Sequence, residues 1–504
     1  MKPEVFADTK PEHPAIIMAA TGQVITYREM ESAANQFARL LRDRGLRRGD
    51  HLAVMLDNDP HYLEVVWGAL RSGLYVTPIN WHLGADEAGY ILRDCGASAL
   101  VSSNRLAAVT SSEDAGGLRT RLSVDDPVEG FESYLEALAG YDESPLDDES
   151  LGAVMFYSSG TTGRPKGIKA PLSDESYGDA SGLAPLLTWL YGFTEDTRYL
   201  VPAPLYHAAP LVWSVGAHRL GATVVVMDRF DAVEVLADVE RYRVTHAQFV
   251  PTHFIRLLRI PDEQRRYDLS SMSTVIHAAA PCPVEVKRAM IEWWGPIIFE
   301  YYAGSEGVAW CAATSEEWLE HPGTVGRPII GIVHVLGEDG AELSTGEVGQ
   351  LWFESGVVFE YHNDPEKTAA AFNEQGWSTL GDVGYLDDDG YVYLTDRVSH
   401  TIISGGVNIY PQEVENVLAM HPAVVDVAVF GVPDDEFGEA VKAVVQLTPG
   451  YVGDDECASA IISYCRERLA GFKCPRSVDF VDELPRLPSG KLLKRKLRQL
   501  YWPA

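Results

Sequence analysis

The sequence has no long apolar run. No segment approaches the roughly 18 to 20 consecutive apolar residues that a helix needs to cross a bilayer. The N-terminal segment also lacks the apolar core of a signal peptide; it reads MKPEVFADTKPEHPAII. We therefore expect a cytoplasmic protein without stable membrane insertion.

Cysteine is scarce, with 6 residues in a chain of 504. No two cysteines form a CxxC pair, and no Cys/His cluster has the spacing of metal ligands. This usage is typical of free thiols in a reducing compartment and argues against a disulfide scaffold or a zinc finger.

Basic residues are outnumbered, with 41 Lys and Arg against 73 Asp and Glu, for a formal net charge of -32. Such a surface repels phosphate polymers and anionic lipids, so nucleic acid and membrane surfaces are poor candidate partners. An anionic ligand has to be held by local features against this field. The alternative interpretation is that the acidity only aids solubility.

Helical and strand patterns alternate from the start of the chain. A helix is predicted over Tyr27–Arg44, a strand over His51–Met55, a helix over His61–Gly73 and a strand over Leu74–Ile79. The same rhythm recurs between residues 222 and 250, and it indicates parallel sheets covered by helices. The length favours two or more domains.

The pattern changes near Asp396. Beyond it we predict a helix over Pro411–Met420, strands over Val424–Phe430 and Ala440–Leu447, and a helix over about Glu456–Ala470. The sequence therefore predicts an α/β body with several subdomains over residues 1–397 and a small α+β domain over residues 398–504.

The sharpest local signal lies after a predicted strand at Ala153–Phe156 and reads YSSGTTGRPKG over residues 157–167. Glycines let several backbone N–H groups face one point, hydroxyls add donors, and lysine adds charge, so the loop is predicted to bind a polyphosphate. The residues assigned to this role are Ser158, Ser159, Gly160, Thr161, Thr162, Gly163 and Lys166. No GK[ST] follows the glycines, so the loop is not a Walker A motif.

The same string resembles the signature loop of the acyl-adenylate-forming superfamily, which includes acyl-CoA synthetases, nonribosomal-peptide adenylation domains and beetle luciferases. Further motifs follow in the order and at the spacing of that family. They are VPAPLYHAAP (201–210), AAAPCP (278–283), YYAGSEG (301–307), STLGDVGYLDDDGYVYLTDR (378–397), ISGGVNIYPQEVE (403–415) and LPSGK (487–491). The resemblance spans nearly the whole chain. It implies a large AMP-binding domain followed by a small mobile C-terminal lid.

The resemblance assigns a nucleotide site for ATP. The loop holds the triphosphate, Tyr302 stacks on adenine, backbone around Ala279 contacts the adenine edge, and Ser305 lies near the phosphates. Asp382 accepts hydrogen bonds from the ribose hydroxyls, for which acceptor-only oxygens are suited. Arg397 contacts ribose or phosphate.

Three residues are assigned catalytic roles by the resemblance. Glu306 binds Mg²⁺, Lys491 holds the substrate carboxylate near the α-phosphorus, and His207 borders the acyl site. His207 takes the place of the aspartate that pairs with a substrate ammonium in amino-acid-activating domains, so an amino-acid substrate is disfavoured.

The acid is expected to be hydrophobic. The segments that should line the acyl pocket are apolar apart from Glu306, and they mix small and aromatic residues, which suits medium- or long-chain fatty, aryl or steroid-derived acids. The substrate-binding residues named are His207, Trp213, Ala278, Ala303 and Gly304.

The resemblance also implies a second step with CoA. The lid rotates, and the glycine strip Ser404, Gly405 and Gly406 approaches the tunnel through which the CoA thiol enters. One position departs from the family, since Ser399 stands where the hinge is usually Asp or Lys. Three alternatives stay open at this point: an amine acceptor that gives an amide, a luciferase-like oxidation, and a non-catalytic nucleotide-binding relative.

Overall fold

The structure, a computed structural model, describes residues 2–106, 117–126, 128–158, 165–178, 182–397, 400–404, 407–434, 437–486 and 492–502, without the side chains of Arg397 and Arg495. The chain divides into two compact units. The first comprises Met1–Phe249, Ile260–Ile276 and Val358–Ala370, and the second comprises Val250–Arg259, His277–Val357 and Ala371–Ala504. The boundary at residue 397 that the sequence predicts stays a prediction.

The described strands, labelled in chain order, are β1 Pro14–Met18, β2 Val24–Thr26, β3 His51–Met55, β4 Tyr75–Pro78, β5 Ala97–Ser102, β6 Thr120–Ser123, β7 Glu132–Ser133, β8 Ala153–Val154, β9 Phe156–Ser158, β10 Lys166–Lys169, β11 Arg198–Val201, β12 Thr223–Val226, β13 His246–Phe249, β14 Thr274–His277, β15 Ile298–Tyr302, β16 Trp310–Ala313, β17 Arg327–Ile330, β18 Ile332–Leu336, β19 Gly349–Glu354, β20 Glu360–Tyr361, β21 Asp382–Leu386, β22 Val392–Arg397, β23 Ile402–Ser404, β24 Val407–Ile409, β25 Val424–Asp434, β26 Gly438–Leu447 and β27 Ser477–Val481.

The described α-helices span Glu4–Thr9, Tyr27–Asp43, Tyr62–Arg71, Ala85–Asp94, Tyr134–Leu138, Ala184–Tyr191, Ala208–Arg219, Ala232–Tyr242, Pro251–Leu258, Val284–Trp294, Ser315–Glu320, Pro365–Ala370, Pro411–Leu418, Asp455–Arg466 and Lys494–Tyr501. Within the described ranges, none of these helices is both long enough and apolar enough to cross a membrane.

The helix Tyr27–Asp43 shows how local sequence sets an element. The Thr26 N–H donates to Glu29 Oε2 at 2.8 Å, and the Glu29 N–H donates to Thr26 Oγ1 at 3.2 Å. This capping box satisfies two N-terminal donors that have no partner within the helix. Gly45 follows the helix with a φ of 85°, a conformation that glycine adopts without strain. The predicted helix is therefore confirmed, with its end one residue earlier.

The first unit is built on parallel sheet. One sheet has the order β7-β6-β5-β3-β4-β8, and each neighbouring pair in it is parallel. A second group runs β13-β11-β12-β1 in parallel and ends on the antiparallel strand β2. The βαβ organisation that the sequence predicts is confirmed, and so is the α/β class.

The predicted strand Ala153–Phe156 is wrong as a single element, because the chain changes sheet at Met155. β8 pairs in parallel with β4, and the Met155 N–H still donates to the Val76 carbonyl at 2.8 Å. β9 then pairs antiparallel with β10 in a different sheet. The strand is interrupted because its pairing partner changes from β4 to β10. Hydrophobic periodicity in the sequence does not indicate such a change of partner.

The second unit is built on antiparallel sheets. β15-β16-β17 are neighbours, and a separate sheet has the order β18-β19-β21-β22. A third has the order β24-β23-β26-β25, and β27 joins it in parallel with β26. The last sheet buries a core that includes Val414, Leu418, Val429, Val445 and Ile461.

All four C-terminal predictions differ from the structure in their ends. The helix predicted over Pro411–Met420 ends at Leu418, and the strand predicted over Ala440–Leu447 begins at Gly438. β25 continues past Phe430 to Asp434, because its pairing with β26 continues to Gly438. The predicted helix over Glu456–Ala470 ends at Arg466. At its start, the Cys457 N–H donates to Asp454 Oδ1 at 2.9 Å, so Asp454 is the N-cap.

Candidate active site

The segment predicted to bind phosphate joins β9 to β10, which form an antiparallel hairpin in the first unit. β9 and β10 pair antiparallel, with Lys166 opposite Ser158 and Gly167 opposite Tyr157. Ser158 and Lys166 are thus side by side at the base of the loop. The predicted ligands Ser159, Gly160, Thr161, Thr162 and Gly163 lie outside the described residues.

The hairpin is anchored on both strands. On β9, the Tyr157 hydroxyl donates to Asp94 Oδ2 at 2.5 Å. On β10, a Cβ at Gly167 would lie 3.0 Å from Met155 and 3.1 Å from His362, so little space remains for a side chain. The Gly167 carbonyl also accepts from the His362 N–H at 2.8 Å. The loop therefore starts from a fixed base, which limits the entropy lost when a ligand binds.

Two predicted acyl-site residues also lie in the first unit. His207 has extended dihedrals and is the N-cap of the helix Ala208–Arg219. Its ring is half-buried, 4.3 Å from the ring of Tyr206. Trp213, on that helix, is only 1% exposed, with its ring 5.0 Å from that of Tyr191. Trp213 is thus enclosed by aromatic side chains of its own unit, and its contact with substrate stays a prediction.

The second unit joins the predicted adenine and ribose residues. The Tyr302 hydroxyl, at the end of β15, donates to Asp382 Oδ2 at 2.6 Å. Asp382 begins β21, is 5% exposed, and is the Cα partner of Arg397 on β22. The side chain of Arg397 lies outside the described part of the chain. Two motifs far apart in the sequence, residues 301–307 and 378–397, therefore meet at Asp382.

Ser305 and Glu306 occupy the centre of a tight turn. The Gly307 N–H donates to the Gly304 carbonyl at 3.0 Å, and Gly307 has a φ of 73°, where glycine is favoured. Ser305 is exposed and Glu306 is half-buried. The turn presents a hydroxyl and a carboxylate next to each other.

Gly304 keeps the turn against the motif that carries Asp382. A Cβ at Gly304 would lie 2.7 Å from both terminal carbons of Leu380 and 2.8 Å from Glu306 Oε2. Glycine alone allows this approach. An oxygen ligand placed here suits a hard cation such as Mg²⁺. Within the described ranges, no group of three or more His, Cys, Asp and Glu side chains could hold a metal ion.

The loop between β14 and the helix Val284–Trp294 contains a strained residue. Ala279 has a φ of 75°, which is uncommon and unfavourable for a residue with a Cβ. Ala279 is exposed while Ala278 is 7% exposed. The surrounding structure has to hold this backbone in place, and the loop is the one predicted to contact adenine.

A buried ionic cluster next to this loop was missed by the sequence reasoning. The Lys287 ammonium donates to Glu300 Oε2 at 2.7 Å, and His277 Nε2 lies 3.4 Å from the same oxygen. The Lys287 and His277 side chains are fully buried, and the Glu300 side chain is 6% exposed. His277, Lys287 and Glu300 are too far apart in the sequence to form a recognisable motif. The one signal available in the sequence was the presence of charged residues beside apolar ones.

Ser404, at the end of β23, is the Cα partner of Val407 on β24. The predicted CoA-site residues Gly405 and Gly406, and the hinge residue Ser399, lie outside the described residues. Ser404 is half-buried, whereas Ile403 is 56% exposed and Val407 is 47% exposed.

Lys491 also lies outside the described residues, but the chain on either side of 487–491 is described. Arg486 and Leu492 form an antiparallel bridge, and the Leu493 N–H donates to the Pro485 carbonyl at 2.8 Å. The Arg486 guanidinium makes a two-bond ion pair with Asp426. Lys494, at the start of the last helix, lies 2.9 Å from Glu415 Oε1.

Two family models match the chain. The AMP-binding enzyme model matches residues 4–361, and the AMP-binding enzyme C-terminal domain model matches residues 413–491. The matched residues include the hairpin loop, the Gly304–Gly307 turn and the C-terminal motif that ends at Lys491.

Similar proteins cover nearly the full length. A CoA ligase of Rhodococcus jostii, whose acid is a propanoyl chain on a methyl-dioxo-octahydro-indene ring system, is 35% identical over 95% of this chain and 95% of its own. A long-chain-fatty-acid–CoA ligase of Mycobacterium tuberculosis is 33% identical over 98% of this chain and 97% of its own.

A solved structure shares the fold. The amide bond synthetase McbA of Marinactinospora thermotolerans superposes with a TM-score of 0.84, at 27% identity over 97% of each chain. With the two family models and the two CoA ligases, this places the chain among the AMP-binding enzymes, in the acyl-CoA synthetase branch of the acyl-adenylate-forming superfamily.

Proposed function

We propose that the chain activates a hydrophobic carboxylic acid with ATP to an acyl-AMP and then transfers the acyl group to CoA, releasing AMP and pyrophosphate. The observation that carries this proposal is the 2.6 Å hydrogen bond between Tyr302 and Asp382. It joins the proposed adenine-stacking ring to the proposed ribose acceptor and fixes their relative position before any ligand arrives.

In the first step, a carboxylate oxygen of the acid attacks the α-phosphorus of ATP. The phosphorus–oxygen bond to pyrophosphate breaks, and pyrophosphate leaves with the electron pair. Lys491 holds the carboxylate near phosphorus and stabilises the charge that develops. Ser158 and Lys166, opposite each other at the base of the hairpin loop, support binding of the triphosphate.

Glu306 is the proposed magnesium ligand, and the ion it would hold would supply positive charge against the phosphates of ATP. Ser305, beside Glu306 in the same turn, offers a hydroxyl to the phosphates. The close approach of Gly304 to Leu380 keeps this turn near the start of β21.

In the second step, the CoA thiol loses its proton to solvent, and its sulfur attacks the acyl carbon. The acyl carbon–oxygen bond breaks and AMP leaves with the electron pair. Ser404, Gly405 and Gly406 are proposed to line the path of the thiol, since small residues let the pantetheine approach the backbone.

The acid is proposed to be medium- or long-chain fatty, aryl or steroid-type. The apolar composition of the segments that contain His207, Ala278 and Ala303 supports this class. The named acids of the two ligases support it too, one being a ring-bearing propanoyl chain and the other a long-chain fatty acid.

An amine acceptor is the second candidate for the second step. It is favoured by the likeness to an amide bond synthetase at a TM-score of 0.84. In that case the acyl-AMP would form by the same first step, and an amine nitrogen would replace the thiol sulfur as nucleophile. A luciferase-like oxidation and a non-catalytic nucleotide-binding protein are the remaining alternatives.

The test is a panel of apolar acids assayed for ATP–pyrophosphate exchange and for hydroxamate formation, with ATP and Mg²⁺. Exchange with at least one acid, lost in Lys491→Ala, supports adenylation. Omitting CoA while supplying amines then separates thioester from amide formation by the product detected. Absence of exchange with the whole panel, while ATP binds, would support the non-catalytic alternative.

A further inference from the structure

Three ionisable side chains meet inside the second unit, and none of them belongs to the residues proposed to touch substrate. Glu300 lies on β15, Lys287 lies in the first turns of the helix Val284–Trp294, and His277 ends β14. One oxygen of Glu300 accepts from the Lys287 ammonium at 2.7 Å and lies 3.4 Å from His277 Nε2. Lys287 and His277 are fully buried and Glu300 is 4% exposed.

The cluster keeps Glu300 ionised. Burial opposes its charge, but the Lys287 ammonium and His277 outweigh burial and lower the pKa of Glu300 to about 2. Cys282 lies close enough to interact with both Glu300 and Lys287, and the Lys287 Nζ lies 4.7 Å from the ring centroid of Trp318. A buried charge is tolerated only with such partners. The buried ion pair of Glu300 and Lys287 therefore carries a desolvation penalty that its partners have to offset.

His277 and Lys287 lie on opposite sides of the loop that joins β14 to the helix Val284–Trp294. Only the loop Ala278–Pro283 separates His277 from the helix that carries Lys287. One carboxylate thus contacts residues on both sides of this loop. Within it, Ala279 has a φ of 75°, a conformation that persists only where its surroundings enforce it.

Glu300 also lies two residues before Tyr302 on β15, so both side chains leave the strand on the same side. The loop and the ring that are proposed to contact adenine are therefore both tied to one residue.

We propose that Glu300 is a positioning residue for the nucleotide, which acts through His277 and Lys287 to hold the Ala278–Pro283 loop in its strained, adenine-accepting shape. This inference rests on the proposed function, because contact between the loop and adenine is part of that proposal. The three side chains are buried, and none of them is among the residues proposed to contact the nucleotide.

The first test measures equilibrium ATP binding and exchange kinetics in Glu300→Gln. The variant should weaken ATP binding and raise the KM for ATP about tenfold, with kcat and the KM for the acid changed less than about twofold. A matched control is Asp479→Asn. Asp479 on β27 forms a 2.8 Å ion pair with the buried Lys442 on β26, and neither strand carries a proposed site residue. The control should leave ATP binding unchanged.

Glu300→Gln leaves Lys287 buried without its partner, and the variant is at risk of failing to fold. The double variant Glu300→Gln with Lys287→Met removes both charges and preserves packing. It should melt close to the wild type and still bind ATP about tenfold more weakly. Wild-type affinity in a folded double variant would overturn the inference.

The decisive readout is rescue by Ala279→Gly. Glycine adopts a positive φ without strain, so the loop then needs less support. Added to the double variant, Ala279→Gly should recover at least about threefold of the lost ATP affinity, whereas a role in stability alone predicts no recovery. Absence of recovery would overturn the inference.

Binding and turnover separate this inference from the proposed function. A wild type that binds ATP but gives no exchange with any acid contradicts the proposed function, and the binding measurements still decide on Glu300. A wild type that does not bind ATP contradicts both.

Discussion

The phenolic hydroxyl of Tyr302 donates a 2.6 Å hydrogen bond to Asp382, a residue 80 positions further along the chain. The bond lies at the junction of β15 and β21 in the second unit. It orients the carboxylate proposed to receive the ribose hydroxyls and the ring proposed to stack on adenine. One contact therefore links two residues that are proposed to bind the nucleotide.

We predict that Tyr302→Phe raises the KM for ATP about fivefold to tenfold, because the ring remains but Asp382 loses a charge-assisted bond worth about 1.5 kcal/mol. The KM for the acid should stay unchanged in exchange assays. Tyr393→Phe is the matched control, since the Tyr393 hydroxyl donates to Asp387 at 3.2 Å and Tyr393 lies on β22, next to the strand that begins with Asp382. Equal effects of the two substitutions on the KM for ATP would contradict the role of Tyr302.

Gly304→Ala should reduce the rate of adenylation at least about tenfold, with a loss of stability below about 1.5 kcal/mol. The new Cβ would meet Leu380 at 2.7 Å and Glu306 Oε2 at 2.8 Å, and it would push the proposed magnesium ligand aside. Rates should be measured over a magnesium titration, where we expect a higher requirement for the ion. Gly471→Ala, with open space around the new Cβ, is the control. An unchanged magnesium requirement would argue against the placement of Glu306.

His218 should make folding sensitive to acid. Burial lowers the pKa of His218 to about 4, and the ring is held by Trp67 Nε1–H, which donates to Nδ1 at 3.1 Å, and by the Ala15 carbonyl, 3.0 Å from Nε2. Since the unfolded pKa is near 6.5, the contribution to stability is complete above about pH 6.5 and is lost as the pH falls towards 4.

Between pH 7 and pH 5 this single group should cost about 2 kcal/mol of unfolding free energy. Urea titrations at the two pH values measure it. His218→Gln, which can make both hydrogen bonds without taking up a proton, should lose about 2 kcal/mol less than the wild type over that interval. Equal losses in the two proteins would show that another group is responsible.

Asp426→Asn should lower kcat for adenylation about threefold to tenfold and leave the KM for ATP unchanged. Asp426 holds Arg486, which pairs with Leu492 across the segment that carries Lys491. Loosening the bridge between Arg486 and Leu492 is expected to misplace Lys491, which is proposed to hold the substrate carboxylate. The control is Glu439→Gln on β26, the neighbour of the strand that carries Asp426, which removes a 3.1 Å ion pair with Arg498 of the last helix. A matching fall in kcat in the control would indicate a general effect on the C-terminal sheet.

The local elements were largely predictable because their signals are local. The helix that begins at Tyr27 has its cap and its glycine stop within the sequence, and β3 coincides with the predicted His51–Met55. The break at Met155 was not predictable, since it depends on whether β4 or β10 is the pairing partner. Periodicity reports which face is buried and does not report which strand lies next to it.

The sequence alone determined which functional groups this protein can use. They are a loop rich in hydroxyls and glycines, a glutamate between glycines and a C-terminal lysine. Each lies in a short segment whose turn and charge properties follow from its own residues. Only the tertiary structure decided that Tyr302 bonds to Asp382 and that Glu300 contacts both His277 and Lys287. Those contacts join residues that no local pattern links, and they form because burying a charge or a hydroxyl demands a partner wherever the fold can supply one.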